Sequence, residues 1–135
     1  MNIVSRVVIA LATTYVALPA TAHHSFAMFD RTKEVSKEAT VKELQWTNPH
    51  VWLQVLIADE QGKLHEWGME AGAPGMLARN GWQSSTLRAG DRITIVFNPM
   101  KTGEPVGNLV RVILPDGRVL GPGGPPGPPP SQPAN

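Results

Sequence analysis

The sequence predicts a mainly β domain, a small five-stranded OB-like Greek-key barrel with one short helix between strands three and four. Strand-like segments occur three times before a helix-like segment and twice after it. The first of these segments also has a fault in its alternation, which indicates a β-bulge. A bulged first strand and a helix after the third strand are typical of this barrel. A different small barrel or an open β-roll is the alternative.

The first predicted strand, Glu38 to Trp46, contains the fault. Its apolar residues change from odd-numbered positions, Ala39 and Val41, to even-numbered positions such as Leu44. One extra residue near Lys42-Glu43 would return both sets to the same face of the sheet, because successive side chains alternate between the two faces. The sequence therefore predicts a β-bulge at this point.

The second and third strands form a hairpin. Val51 to Ala58 has apolar side chains at every odd-numbered position, as expected for a strand with one buried face. Asp59-Glu60-Gln61-Gly62 supplies a turn, and Lys63 to Glu70 returns as the third strand. These two strands should therefore be antiparallel neighbours.

A helix and two further strands complete the predicted barrel. Ala73 to Asn80 predicts a short helix, because Pro74 suits its first turn and Gly81 suits the left-handed position that follows a helix. The fourth strand begins after Gly90-Asp91, and the fifth strand is predicted over Leu109 to Leu114. In the fourth strand, Ile93, Ile95 and Phe97 alternate toward the interior.

The two ends of the chain lie outside the predicted domain, which covers residues 23–120. Residues 1–22 predict a signal peptide, with Arg6, an apolar run at Val7 to Leu18 and the small-x-small site Ala20-Thr21-Ala22. The apolar run is too short to span a bilayer, so no membrane span is expected after cleavage. A buried N-terminal helix is the alternative. Residues 121–135 predict a disordered Gly/Pro-rich tail, because their three collagen-like triplets are too few for a triple helix.

Composition and motifs exclude several function classes. The 12 basic and 11 acidic residues nearly balance, and Arg6 leaves with the signal, so nucleic acid is not an expected partner. The absence of cysteine excludes a disulfide scaffold and a thiolate nucleophile. His65-Glu66-Trp67-Gly68-Met69 begins like a zincin helix but ends in Met instead of His. No catalytic set is recognised among these motifs, so an enzyme ranks third among the functions considered.

Five short motifs resemble those of a known family. They are His23-His24-Ser25-Phe26, Trp46-Thr47-Asn48-Pro49-His50-Val51, Gly81-Trp82, Gly90-Asp91 and Leu114-Pro115-Asp116-Gly117-Arg118. Together they resemble a group of small exported bacterial proteins of unknown function. The resemblance implies a location in the cell envelope, periplasmic or secreted, and supplies no reaction.

The histidines predict a metal site. Cleavage after Ala22 makes His23 the first residue, and its α-amino group and imidazole can then chelate one metal ion. A second imidazole from His24 or His50 would complete a nitrogen-rich set of the kind that Cu(II) prefers. This resembles the histidine brace of exported copper proteins in local chemistry only. The alternatives are a polar, mobile terminus and, for His50, a purely structural turn.

Aromatic residues predict a second kind of site. Trp46 and Trp52 flank the turn that contains Asn48 and His50, and OB-type barrels bind ligands on a face that such a turn borders. These tryptophans are core residues in the alternative interpretation. Two functions therefore rank ahead of an enzyme: a copper-binding envelope protein, or a non-catalytic module that binds an envelope protein or a small ligand through Trp46, Asn48 and Trp52.

Overall fold

The structure is a computed structural model, and it describes residues 25–122. The predicted signal peptide, His23, His24 and residues 123–135 lie outside the described residues. The elements, in chain order, are a 3₁₀ helix (Ser25–Met28), β1 (Val35–Gln45), β2 (Trp52–Ala58), β3 (Leu64–Glu70), α1 (Pro74–Arg79), β4 (Arg92–Pro99), β5 (Val106–Ile113) and β6 (Val119–Leu120). No helix in the described part of the chain is long and apolar enough to cross a bilayer.

The strands form one sheet in the order β3-β2-β1-β4-β5-β6, and the additional pairing of β3 with β5 closes it. All neighbouring strands are antiparallel except β3 and β5, which pair in parallel. The first five strands therefore make a closed barrel with the short helix α1 between β3 and β4, and the predicted OB-like fold is confirmed. The two-residue strand β6, which the sequence did not predict, extends the sheet beside β5.

The predicted bulge in β1 is confirmed. Val41 pairs with Val55, but the next pair joins Glu43 to Gln54, so Lys42 is the extra residue on β1. Val41 is buried before the bulge, and Leu44 packs against the core after it. The extra residue thus keeps both halves of β1 directed toward the same core.

The core fills the inside of the barrel. Three alternate residues of β2, Leu53, Val55 and Ile57, are buried in it, together with Val51 just before the strand. At Gly107 of β5 an added Cβ would overlap the ring of Phe97, so this position has room only for glycine. The barrel wall is therefore closely packed where β4 and β5 meet β3.

The short helix adds Leu77 to the core, and the residues that follow it contact the last described residues. Gly81 has φ 86°, the left-handed conformation predicted for the residue after the helix. Trp82 is buried, and its Nε1 donates a hydrogen bond to the carbonyl of Gly121 at 3.3 Å. Asn80 Nδ2 donates to the carbonyl of Pro122 at 2.8 Å. The first two residues after Leu120 are thus attached to the domain.

Candidate functional site

The candidate site lies on the outside of the barrel, where the loop between β1 and β2 meets the outer face of β2 and β3. OB-type barrels bind ligands on the face formed by strands two and three, between the β1–β2 loop and the β4–β5 loop. Trp46, Asn48 and His50 belong to the β1–β2 loop, and Trp52 is the first residue of β2. The fold therefore brings four of the residues singled out in the sequence to one edge of this face.

The three predicted ligand-binding residues differ in exposure. Asn48 is exposed in the loop, whereas Trp46 is half-buried and packs against the core. Trp52 is half-buried on the outer face, where ring carbon atoms would lie 3.6 Å from a Cβ added at Gly68 of β3. Since Gly68 has no side chain, the Trp52 ring can lie across the neighbouring strand. Trp52 and Asn48 are therefore accessible from outside, and Trp46 is largely a packing residue.

His50 occupies a well-defined backbone position at the start of β2. Its carbonyl accepts a hydrogen bond from Thr47 Oγ1 at 3.1 Å. The next residue, Val51, is fully buried and exchanges backbone hydrogen bonds with Ala71 and Gly72, which extends the β2–β3 pairing past the strand ends. The backbone on both sides of His50 is therefore fixed, although its side chain is 30% exposed.

A buried carboxylate lies beside the His50 ring. Glu70, the last residue of β3, has a side chain that is only 4% exposed, and its Oε1 lies 2.9 Å from His50 Nδ1. Although this distance is that of an ion pair, its direction does not meet hydrogen-bond geometry. Glu70 Oε1 thus accepts no hydrogen bond among the described residues. Because an unpartnered buried carboxylate is costly, the arrangement calls for a functional explanation.

Sequence reasoning missed Glu70. The hairpin register places it directly opposite Trp52, so the register was the signal that could have found it. Its parity on β3 is that of an outward-facing residue, and outward-facing glutamates are ordinarily solvated. Only the closure of the barrel, which pairs Glu70 with Asn108 of β5, removes it from solvent.

Two asparagines continue this polar row across the sheet. Asn108 pairs with Glu70 on one side and with Asn98 of β4 on the other. Asn108 Nδ2 donates to Asn98 Oδ1 at 3.1 Å, and Asn98 Nδ2 donates to the carbonyl of Lys33 at 2.8 Å. The row therefore connects the Glu70 side of the barrel with the chain that leads into β1.

The start of the described chain is attached to the β4–β5 loop, residues 100–105. Phe29 forms an isolated antiparallel bridge with Met100. The Lys101 backbone N–H donates to the carbonyl of Met28, and its Nζ donates to the carbonyl of Ala27, both at 2.9 Å. The chain thus enters the fold beside the second loop that borders the OB ligand face.

Metal ligands are sparse in the described residues. Within residues 25–122 no group of three or more His, Asp or Glu side chains could hold a metal ion. His50 and Glu70 form a pair, while the predicted ligands His23 and His24 lie outside the described residues. A complete metal site would therefore need ligands from beyond residues 25–122.

His65 is far from this pair. It pairs with Ile57, five residue pairs along the hairpin from Trp52 and Glu70, a separation of ~17 Å. Its Nε2 lies 2.7 Å from Asp59 Oδ2 in the hairpin turn. This hydrogen bond is the largest cause that lowers the pKa of the Asp59 carboxyl, followed by the hydrogen bond from the Lys63 backbone. His65 therefore has a structural partner of its own.

A well-formed cleft in the described structure lies elsewhere. It has a volume of about 400 Å³ and lies at the far end of the β2–β3 hairpin, between apolar side chains such as Leu56, Leu64 and Ile93. None of the predicted site residues lines it. The cleft is open to solvent and contains no histidine, so the chemistry of the His50–Glu70 pair identifies the candidate site better than concavity does.

Fold and site together define a small OB-like barrel that carries a histidine–carboxylate pair at the edge of the face formed by β2 and β3. The chain belongs to a family of unknown function, DUF6152, whose family model matches residues 10–109. The match includes the β1–β2 loop, all of β3 and the start of β5. Comparison with curated proteins gave no match, and comparison with solved structures gave none.

Proposed function

We propose that the protein is an exported metal-binding protein in which His50 joins His23 and His24 of the mature N-terminus to hold Cu(II). One observation carries the proposal: a half-buried imidazole whose Nδ1 lies 2.9 Å from the buried carboxylate of Glu70. Histidines that ligate metals almost always have such a partner at the second ring nitrogen, commonly a carboxylate. The other nitrogen, Nε2, is then the metal-binding atom.

The remaining ligands in this proposal come from the new N-terminus. After cleavage behind Ala22, His23 offers its α-amino group and its imidazole, and His24 offers a second imidazole. With His50 this makes a nitrogen-rich set, which suits Cu(II). No cysteine is present to compete for the metal or to favour Cu(I).

The path of the chain supports a common site. Ala27 and Met28 are fixed to Lys101, beside the β4–β5 loop. His50 is on the β1–β2 loop, and these two loops border the same face of an OB barrel. His23 and His24 immediately precede Ser25 in the sequence, so a site shared with His50 requires them to reach this face.

Export is part of the proposal, because the α-amino ligand exists only after the signal is removed. Arg6, the apolar run to Leu18 and Ala20-Thr21-Ala22 have the order of a secretory signal with a cleavage site before His23. An envelope location would also expose the protein to copper outside the cytoplasm.

Copper affinity of three forms of the chain tests the proposal. Protein that begins at His23 should bind one Cu(II) tightly, as measured by competition with a chelator of known affinity. The same protein with its α-amino group acetylated should bind far more weakly, because the amine can then no longer ligate the metal. His50→Ala should also weaken binding.

His65→Ala is the matched control, since His65 also lies beside a carboxylate but ~17 Å along the hairpin. It should leave copper affinity unchanged. Equal affinity for the free and the blocked terminus would refute the N-terminal chelate.

That result would favour the second candidate function, a module that binds an envelope protein or a small ligand through its outer face. The observation in its favour is Trp52, whose ring lies over Gly68 beside the exposed Asn48 loop. Half-exposed aromatic rings on strands two and three are where OB-type barrels hold ligands.

A further inference from the structure

Two glutamates on β3 face the same outer side of the barrel but have different surroundings. Glu66 is exposed and lies 2.7 Å from Lys42 Nζ in a surface ion pair. Glu70, four residues later, is buried, and no Lys or Arg among the described residues pairs with it. His50 is the one described side chain that pairs with Glu70 as a potential cation. His50 and Glu70 thus form a pair that is separate from the other charged residues of β3.

The other neighbour of Glu70 does not compensate its charge. Asn108 lies beside Glu70 on β5, but its amide Nδ2 donates to Asn98 Oδ1. The Asn98 amide is in turn engaged with the carbonyl of Lys33. Neither asparagine amide therefore donates to Glu70 Oε1, and His50 is the side chain beside that oxygen.

Burial of such a carboxylate has no structural advantage. Replacing a buried ionic group by an apolar one of similar size is often neutral or stabilising, whereas leaving its oxygen without a donor is costly. At the end of a strand that packs against Trp52, an apolar residue would serve the fold at least as well. The carboxylate is therefore better explained by what it does to the imidazole.

We infer that Glu70 is the positioning residue of His50: it accepts the Nδ1 proton and so directs Nε2, with its free lone pair, toward the outer face. The torsion about the Cβ–Cγ bond of histidine is broad, so a modest ring rotation aligns the 2.9 Å contact as a hydrogen bond. The inference deepens the proposed function, and it rests on that function only for the identity of the ligand that Nε2 binds.

The tautomer of His50 in the metal-free protein tests the positioning directly. Nitrogen-15 chemical shifts of the imidazole should show the proton on Nδ1 in the wild type. Glu70→Gln retains an acceptor oxygen without the charge and should keep this tautomer. Glu70→Met is apolar and of similar length, and it should let the proton return to Nε2. A wild-type ring protonated on Nε2, or an unchanged tautomer in Glu70→Met, would overturn the inference.

Copper affinity gives the second readout. Glu70→Met should weaken Cu(II) binding about 10–100-fold, the usual effect of losing the carboxylate partner of a metal-ligating histidine. Glu70→Gln should recover part of the loss. In a His50→Ala background, Glu70→Met should have no further effect, because Glu70 acts through His50. Thermal melts of the same variants report whether the fold is intact.

Glu66→Gln is the matched control, on the same strand and the same side of the barrel. It should change neither the tautomer nor copper affinity. If His50→Ala weakens copper binding and Glu70→Met does not, the inference is wrong although the proposed function stands. If the wild type binds no copper, the proposed function is wrong, and the tautomer alone decides the role of Glu70.

Discussion

Two histidine–carboxylate pairs lie at opposite ends of the β2–β3 hairpin, and they differ in burial and in hydrogen bonding. His65 and Asp59 have side chains that are 46% and 31% exposed, whereas Glu70 is 4% exposed beside His50. Asp59 also accepts backbone hydrogen bonds at Oδ1 from Gln61 at 3.0 Å and Lys63 at 2.8 Å. The Asp59 carboxylate is thus fully used in forming a turn.

The difference teaches how to separate a structural pair from a functional one. At the turn, the backbone and His65 supply hydrogen bonds to both oxygens of the Asp59 carboxylate, and solvent reaches the ring. Both groups of this pair therefore have hydrogen-bond partners. At the other end, Glu70 Oε1 has no hydrogen-bond donor within residues 25–122, and its ionic partner there is the His50 ring, whose Nε2 is still available. A buried polar group without a hydrogen-bond partner is a better guide to function than the pairing of residue types alone.

The largest expected effect is in the core beneath the buried pair. Phe97 lies against Gly107 and near Trp67, at a ring-centroid separation of 5.6 Å, below the end of β3 that carries Glu70. Phe97→Ala should lower the free energy of unfolding by about 3–5 kcal/mol, because it leaves a cavity. Urea unfolding measures the loss. Leu64→Ala, at the exposed end, should change the free energy by less than about 0.5 kcal/mol. Equal losses would show that the two ends are packed alike.

A smaller effect is expected in the turn. Gly62 has φ 79°, and an added Cβ would meet no atom within 4 Å, so the penalty of a side chain there is purely conformational. Gly62→Ala should lower the free energy of unfolding by about 1 kcal/mol, the left-handed strain less the entropy that alanine removes from the unfolded chain. Glu60→Ala in the same turn is the control and should be neutral. Copper affinity should not respond to either change, since a response would couple the turn to the distant pair.

Most of the barrel was predictable because a strand with one buried face alternates its residues. The bulge at Lys42 was predictable for the same reason, since it appears as a change of parity between Val41 and Leu44. The start of β5 was less so: Val106-Gly107-Asn108 contains two poor strand formers, and the predicted strand began only at Leu109. These three residues pair with β3 to close the barrel, and that long-range requirement overrides their local preference.

The candidate site was predictable only in part. His50, Asn48 and Trp52 were recognised from a motif in one loop. Glu70 was not, because Glu66 and Glu70 share strand, parity and residue type. The β3–β5 pairing begins at Gly68, so it covers Glu70 and leaves Glu66 in solvent. The sequence around β3 does not show which of the two glutamates is buried, because burial depends on β5, which lies about 40 residues further along the chain.

The smallest effect is an acid dependence confined to the turn. The pKa of the Asp59 carboxyl is lowered from its ordinary value of 3.8 by the hydrogen bonds from His65 and Lys63. A folded-state pKa below the unfolded one means that the unfolded chain takes up protons first as the pH falls. The stabilisation by Asp59 is therefore fully present above pH 3.8 or so and is lost as the pH falls through the lowered value.

Asp59→Asn keeps an acceptor for the turn but removes the charge that His65 contacts. Wild type should exceed this variant in urea midpoint at pH 5, and the difference should shrink steadily toward pH 2 as the wild-type carboxyl becomes protonated. Asp91→Asn is the control, a carboxyl in another turn that accepts from the Arg88 backbone without a histidine partner. A difference that stays constant from pH 5 to pH 2 would show that Asp59 stabilises the turn through its hydrogen-bond geometry and not through its negative charge. The contrast between the two pairs would then rest on burial alone.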